Sequence, residues 1–316
     1  MFRYALRRIA ASLPVLLLVT LISFSMMHLV PGDPAAAIAG AGATNREIEA
    51  IRAQLGLDRP FLEQMLAWYG GLFRGDLGRS ILLNRPVWQA IVERLPITLP
   101  LALFGLVLTV LIGVPAGVIA ALRANSWVDQ AVTALAMLGV SVPSFWLALM
   151  LIVLFGVHLE WLPTGGFVPF GQDPAAWARS MVLPSVSLAL LQIGLLARIT
   201  RGTMLEVLRQ DFVRTARAKG LPGWMVIGKH ALKNVMVPVV TVIGISFGLL
   251  LSGSIVIETV YGMPGIGRLM ANAIFGRDYP VIQGGLLITG VMLVLLNLVV
   301  DILYAVIDPR VRYGGG

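Results

Sequence analysis

The sequence predicts an all-α membrane protein of about six transmembrane helices, and three observations carry that prediction. Of 316 residues, 58% are hydrophobic and 13% charged, against roughly 45–50% and about 25% in an ordinary soluble domain. Mean hydropathy is +0.87. The apolar residues lie in long unbroken runs, and a helix needs about 20 of them to cross the hydrocarbon core.

The runs are 9–30, 99–122, 130–157, 180–199, 235–257 and 281–307. The fourth is the shortest, so five or seven spans are the alternatives to six. The first follows Arg3, Arg7 and Arg8 and precedes Ala35-Ala36-Ala37, as a cleaved signal would. It is longer than the usual 7–15-residue signal core, and the spans that follow make a cleaved leader unnecessary. It reads as the first span.

Charge sets the orientation. Arg201, Arg209, Arg214, Arg217, Lys219, Lys229 and Lys233 lie between the fourth and fifth runs, against Glu206 and Asp211, with Arg198 at the edge. The N-terminal arginines, Arg310 and Arg312 fall on the same side if there are six spans. That side is expected to be the cytoplasm, with both termini there. The net charge of +8 is thus mostly positive-inside bias, which leaves little for nucleic acid.

Residues 31–98 form a long external region opened by Pro31-Gly32-Asp33-Pro34. Helices are expected over 45–55, with Ile48, Ile51 and Leu55 on one face, and over 60–73, with Leu62, Met65, Leu66 and Tyr69. Together they form a small cap. It is either a covered surface loop or, since loops of this length are uncommon without a role, a docking or gating element.

Span two contains Gly113, Pro115 and Gly117, and span three contains Gly139, Ser141 and Pro143. A proline frees a helix carbonyl, which in lipid must find a neighbour or water. Pro115 and Pro143 are therefore candidates for breaks beside a transport path, or ordinary prolines of membrane helices. Gly244, Gly248 and Ser252 recur every four residues in span five, a spacing that lets helix backbones approach. Gly113 and Gly117 repeat it.

Charges within the spans are nearly absent: Asp301, Glu258 and His28 sit near span ends. An ion-gradient-driven secondary transporter, the alternative of another class, usually buries ionisable groups near the midplane. A membrane scaffold is a third class. With no cysteine, disulfides, thiolate metal sites and cysteine nucleophiles are excluded. His28, His158 and His230 have no metal-ligand spacing, and no catalytic constellation stands out. Pro264, Gly265 and Gly267 mark a tight external turn, structural or gating.

The loop 200–234 is the most informative segment. Leu205, Leu208, Phe212 and Ala216 fall on one helix face. Gly220 and Pro222 stop that helix, and a second short helix leads into span five. This helix–turn–helix suits a groove on another protein, or an anionic lipid surface. Gly223, Gly228 and Lys229 mimic a phosphate-binding loop, but His230 stands where Ser or Thr would hold magnesium and no strand precedes it. The chain is expected to bind no nucleotide.

The run 211–220 reads Asp-Phe-Val-Arg-Thr-Ala-Arg-Ala-Lys-Gly, and 229–238 reads Lys-His-Ala-Leu-Lys-Asn-Val-Met-Val-Pro. Both resemble the dipeptide/oligopeptide/nickel branch of permease subunits in ATP-binding-cassette importers. Further matches are Arg7-Arg8, the Pro31–Pro34 turn, the run 258–267, the run 277–281 and the run 297–304, so the resemblance covers nearly the whole chain. Arg214 and Thr215 replace the Glu and first Ala of the general family loop, as that branch does.

The resemblance implies a type I importer permease fold in a bacterial inner membrane. The expected organisation is 1–30 for the start and first span, 31–98 for an extracytoplasmic cap, 99–307 for the core with loop 200–234, and 308–316 for a cytoplasmic tail. Loop residues Asp211, Arg214, Thr215, Ala216, Lys219 and Gly220 would then meet an ATPase. The implied partners are a second homologous permease, two ATPase subunits (or a heterodimer of them) carrying ATP and Mg, an extracytoplasmic binding protein and the bilayer. The chain itself binds no cofactor or metal and is no enzyme. Short peptides, including glutathione-like ones, are the first expected cargo, ahead of nickel chelates and of small glycosides or opine-like solutes.

Overall fold

The structure is a computed structural model that describes residues 2–29, 33–39, 42–54 and 56–307. Side chains 2–9, 26–29, 34, 37, 38, 54 and 301–307 are outside the description. The expectations for Pro31, Gly32, Leu55 and the tail 308–316, and for the side chains of Arg3, Arg7, Arg8, His28 and Asp301, thus lie outside the described residues.

In chain order the helices are α1 (Phe2–Leu29), α2 (Pro34–Ala39), α3 (Asn45–Gln54), α4 (Phe61–Phe73), α5 (Val87–Val92), α6 (Leu95–Leu122), α7 (Trp127–Ser141) and α8 (Ser144–Leu151). A π-helical turn, Ile152–His158, extends α8. Then follow α9 (Pro174–Leu208), α10 (Asp211–Ala218), α11 (Gly223–Met225), a second π-helical turn (Val226–Ala231), α12 (Leu232–Val260), α13 (Ile266–Phe275) and α14 (Tyr279–Ile307).

By length and composition, Val87–Leu122, Pro174–Leu208, Gly223–Val260 and Tyr279–Val300 can each cross a membrane, and α7 with α8 makes a fifth, bent segment. The 28-residue α1 covers the first predicted run through Leu29, its last described residue. All six runs are helical, and the third, 130–157, is broken at the proline the sequence offered as a break: α7 and α8 meet at 104°. The cause is local: Val142 turns extended at the end of α7, and Pro143, also extended, opens α8. Pro115 behaves differently, because α6 runs through it unbroken. There a close fit to α9 on both sides of the proline, at Gly113 and Gly117, holds the helix together.

The described residues group into two compact units, Met1–Pro96 with Pro264–Val294 and Ile97–Met263 with Leu295–Gly316. In the first, Leu77, Val87, Ala90 and Ile91 pack with Ile266, Leu269, Met270, Ala273, Val281 and Leu287. Asp278, buried at the head of α14, accepts bonds from Ser80 Oγ at 2.5 Å and Leu82 N at 3.0 Å. α3 starts with a capping box: Glu47 Oε2 accepts from Thr44 N at 2.7 Å, and Glu47 N donates to Thr44 Oγ1 at 3.4 Å. α4 lies along α1, with Phe24 5.5 Å from Phe61 and 5.7 Å from Trp68 between ring centroids. Thr20 Oγ1 and Tyr69 OH are 2.8 Å apart. The expected α4 face divides: Met65 and Tyr69 are half-buried, whereas Leu62 and Leu66 are exposed.

In the second unit α9 is the central helix. At Gly117 an added Cβ would lie 2.5 Å from Ala197 O, and at Gly194 it would lie 2.5 Å from Ala136 O. Glycine is therefore what lets α6 and α7 rest directly on the α9 backbone.

Candidate functional site

The loop after α9 is built by two interruptions of helix. α9 ends at Leu208, and Gln210 in extended conformation restarts the chain as α10. This break resets the helical register. Of the expected inward face, Leu205, Leu208 and Ala216 pack on one core cluster. The residues buried together are Met204 and Val207 of α9, Val213 and Ala216 of α10, and Val226 and Ala231. Phe212 is exposed.

α10 closes on a Schellman motif. Gly220 N donates to Arg217 O at 2.9 Å and Leu221 N to Ala216 O at 3.3 Å. The motif requires a left-handed residue, and Gly220 has φ +77°. Pro222 then opens α11, which runs through the π-helical turn into α12. The short helix expected before span five is thus the start of a single 38-residue apolar segment. The phosphate-loop mimic at Gly223, Gly228 and Lys229 is helical, not a loop.

Of the six expected contact residues, Asp211, Arg214, Thr215, Lys219 and Gly220 are exposed on one loop. Ala216 faces inward and is 7% exposed; it seats α10 on the chain's own core. Asp211 and Arg214 pair at 3.6 Å, but at 96% and 77% exposure the pair adds little stability. Sequence reading missed Arg217 and Trp224 as candidates, both exposed in the same loop. A tryptophan directly after the Pro222-Gly223 turn was the available signal. The surface is therefore basic with two aromatic side chains, Phe212 and Trp224.

A second feature lies one helix earlier. Asp129 of α7 is 3% exposed and takes a bidentate pair from Arg201 of α9, through Nε to Oδ1 and through Nη2 to Oδ2 at 2.7 Å. Asn125 N also donates to Oδ2, at 2.9 Å. Arg201 had been read only as part of the basic loop. A lone acid heading an apolar run was the signal for Asp129.

Toward the other end of α9, Tyr261 OH sits 2.9 Å from Ser187 Oγ and 3.3 Å from Ala148 O. Gly166 N donates to Tyr261 O at 2.7 Å. Glu258 is buried and accepts from Thr98 Oγ1 at 2.6 Å. On α12 the small-residue stripe divides: a Cβ at Gly244 would lie 3.0 Å from the Val300 side chain of α14, Gly248 is half-buried and Ser252 exposed.

These features define a class: a polytopic helical membrane protein with a compact, exposed basic loop between two long apolar helices. The chain belongs to the family of binding-protein-dependent transport system inner membrane components, which matches residues 113–313. The N-terminal component of such systems matches residues 1–102. The chain is 52% identical over 308 residues to a Brucella abortus (strain 2308) protein named as a peptide transport system permease, covering 98% of each. It is 42% identical to the dipeptide transport system permease protein DppB of Alkalihalophilus pseudofirmus, covering 99% of this chain and all of that one. With DppB of Escherichia coli K12 the identity is 40%, over 99% of each chain. Among solved structures, an inward-facing MetNI methionine ABC transporter chain superposes with a TM-score of 0.58 at 18% identity, over 70% of this chain and 97% of that one. The fold is shared with that importer, and this chain is the permease subunit of a binding-protein-dependent importer in the inner membrane.

Proposed function

We propose that the chain forms half of a translocation path for short peptides and is driven by separate ATPase subunits through the loop 200–234. The observation that carries this reading is α10: a short helix seated on the core by Val213 and Ala216, closed by a Schellman glycine, presenting Arg214, Thr215, Arg217 and Lys219 outward. A helix so anchored moves with α9 and α12, so a push on it is transmitted to the spans. The names of the relatives, dipeptide and peptide permeases, support the cargo class.

In this reading the loop and both termini are cytoplasmic, as the Lys and Arg distribution favours. Residues 31–98 form the outer cap that receives a binding protein. A second homologous permease supplies the other half of the path, with Ser252 and Gly248 on the exposed side of α12 toward it and Gly244 packing within the chain. The bend at Pro143 lines the path, with Pro115 a candidate on α6. Two ATPase subunits, or a heterodimer of them, carry ATP and Mg. Their closure biases a two-state equilibrium between outward- and inward-open forms, and this chain does no chemistry.

The test is uptake of a labelled dipeptide by cells carrying Arg214→Glu with Arg217→Glu. Reversing two exposed charges leaves the fold intact. The expected result is normal membrane abundance, loss of ATPase co-purification and loss of uptake. Uptake at the unaltered rate contradicts the coupling assignment.

A further inference from the structure

We propose that Arg198, at the α7–α8 bend, is a binding site for the carboxylate of the transported solute. This inference rests on the peptide-import reading and adds a residue to it.

α9 continues to Leu208, so Arg198 is not at a loop edge but about 15 Å inside the helix at 1.5 Å per residue. Its neighbour one turn on, Arg201, is held by Asp129. Arg198 is exposed and has no ion pair or hydrogen bond among the described residues. A helical side chain leans toward its own N-terminus, here away from the loop end of α9. It lines a cavity of about 110 Å³ with Ala136, Met137, Val140, Ser141 and Gly194.

That cavity lies within the apolar length of α7 and α9. Trp127, exposed at the head of α7, suits the membrane interface. Met137 to Ser141 lie about 15–21 Å along the helix from it, half to about two thirds of a hydrocarbon core of about 30 Å, and Arg198 stands one turn deeper than the Asp129–Arg201 pair. A bare guanidinium facing lipid there is strongly disfavoured, and such groups mark polar pathways. The rest of the cavity agrees. Pro143 has no N–H to give Gly139 O, and Ser141 Oγ, bonded only back to Met137 O at 2.9 Å, is free to turn toward a ligand.

The guanidinium fork matches a carboxylate with two parallel hydrogen bonds, and a peptide carries one at its C-terminus. The cavity wall includes Ser141, the last residue before the 104° bend, so a change in bend angle changes the site. A transported ligand must be both bound and released, which such a wall permits and a permanent ion pair does not.

The experiment uses the whole importer, with its binding protein and ATPase, in proteoliposomes. Dipeptide carried per ATP hydrolysed is compared for the unaltered complex, Arg198→Gln and Arg198→Lys, together with the yield of the second permease on purification. The expected result is a fall of about tenfold for Arg198→Gln, the size of a lost charge-assisted hydrogen bond, with a smaller fall for Arg198→Lys, which keeps the charge but loses the two-point fork. Unchanged transport by Arg198→Gln overturns the assignment. Loss of the second permease from the Arg198→Gln complex overturns it in favour of an intersubunit ion pair. An unaltered complex that hydrolyses ATP but carries no peptide overturns the peptide reading itself, and this proposal with it.

Discussion

Arg201 grips Asp129 with two hydrogen bonds across the crossing of α9 and α7. The pair joins residues 72 positions apart and lies two helical turns before the end of α9, where the chain passes to α10. It therefore fixes the base on which the loop 209–222 stands.

Removing one partner leaves a buried charge without its counterpart. Asp129→Ala is expected to cost about 3 kcal/mol, the low end for a broken buried pair, because Arg201 keeps some access to solvent. Thermal unfolding of the purified chain in detergent measures this. The charge-swapped double variant, Asp129→Arg with Arg201→Asp, should recover part of the loss, and a double-mutant cycle gives the coupling.

Close packing on α9 gives a second expectation. Gly117→Leu forces side-chain atoms into Ala197 O, 2.5 Å from the first of them, and neither backbone can retreat without separating α6 from α9. A loss of about 1–3 kcal/mol or more is expected, visible as lower yield and a lower Tm. Gly202, on α9 itself but with nothing within 4 Å of an added Cβ, should accept Ala without loss.

Gly220 tests the loop's geometry separately from its charge. At φ +77°, a valine there costs about 1–2 kcal/mol and frays the end of α10, while Asn, which tolerates this conformation, should be milder. Dipeptide uptake should fall in the order Gly, Asn, Val, with membrane abundance unchanged throughout.

Tyr261→Phe removes a buried hydroxyl near Ser187 and Ala148. Ser187 Oγ keeps its bond to Leu183 O at 2.8 Å, so no donor is orphaned. The expected cost is only about 1 kcal/mol, read by thermal unfolding. A larger loss would mean that Tyr261 carries more than this local bond.

Much of this protein was legible in its sequence because hydrophobic runs report membrane spans directly. All six runs are helical, and the Gly220 stop was visible as a glycine followed by Pro222. What was not legible depends on tertiary contact. Two prolines with similar glycine neighbours behave differently, Pro115 held straight by the α9 surface and Pro143 opening a bend. Ala216 belonged both to the expected apolar face and to the contact motif, and it packs beside Val213 in the core, while Phe212 of the same expected face is exposed beyond the break at Gln210. The partners Asp129 and Arg201 are distant in sequence, and hydropathy does not say which helices meet.

The central claim is that the exposed face of α10 meets an ATPase. The chain has no cysteine, so single cysteines report position without background. In the purified complex, Thr215→Cys should cross-link to the ATPase subunit through a short bifunctional thiol-to-amine reagent, and Val213→Cys, two residues away on the core-facing side of α10, should not. Absence of any ATPase adduct from Thr215→Cys, in a complex that still imports dipeptide, contradicts the account.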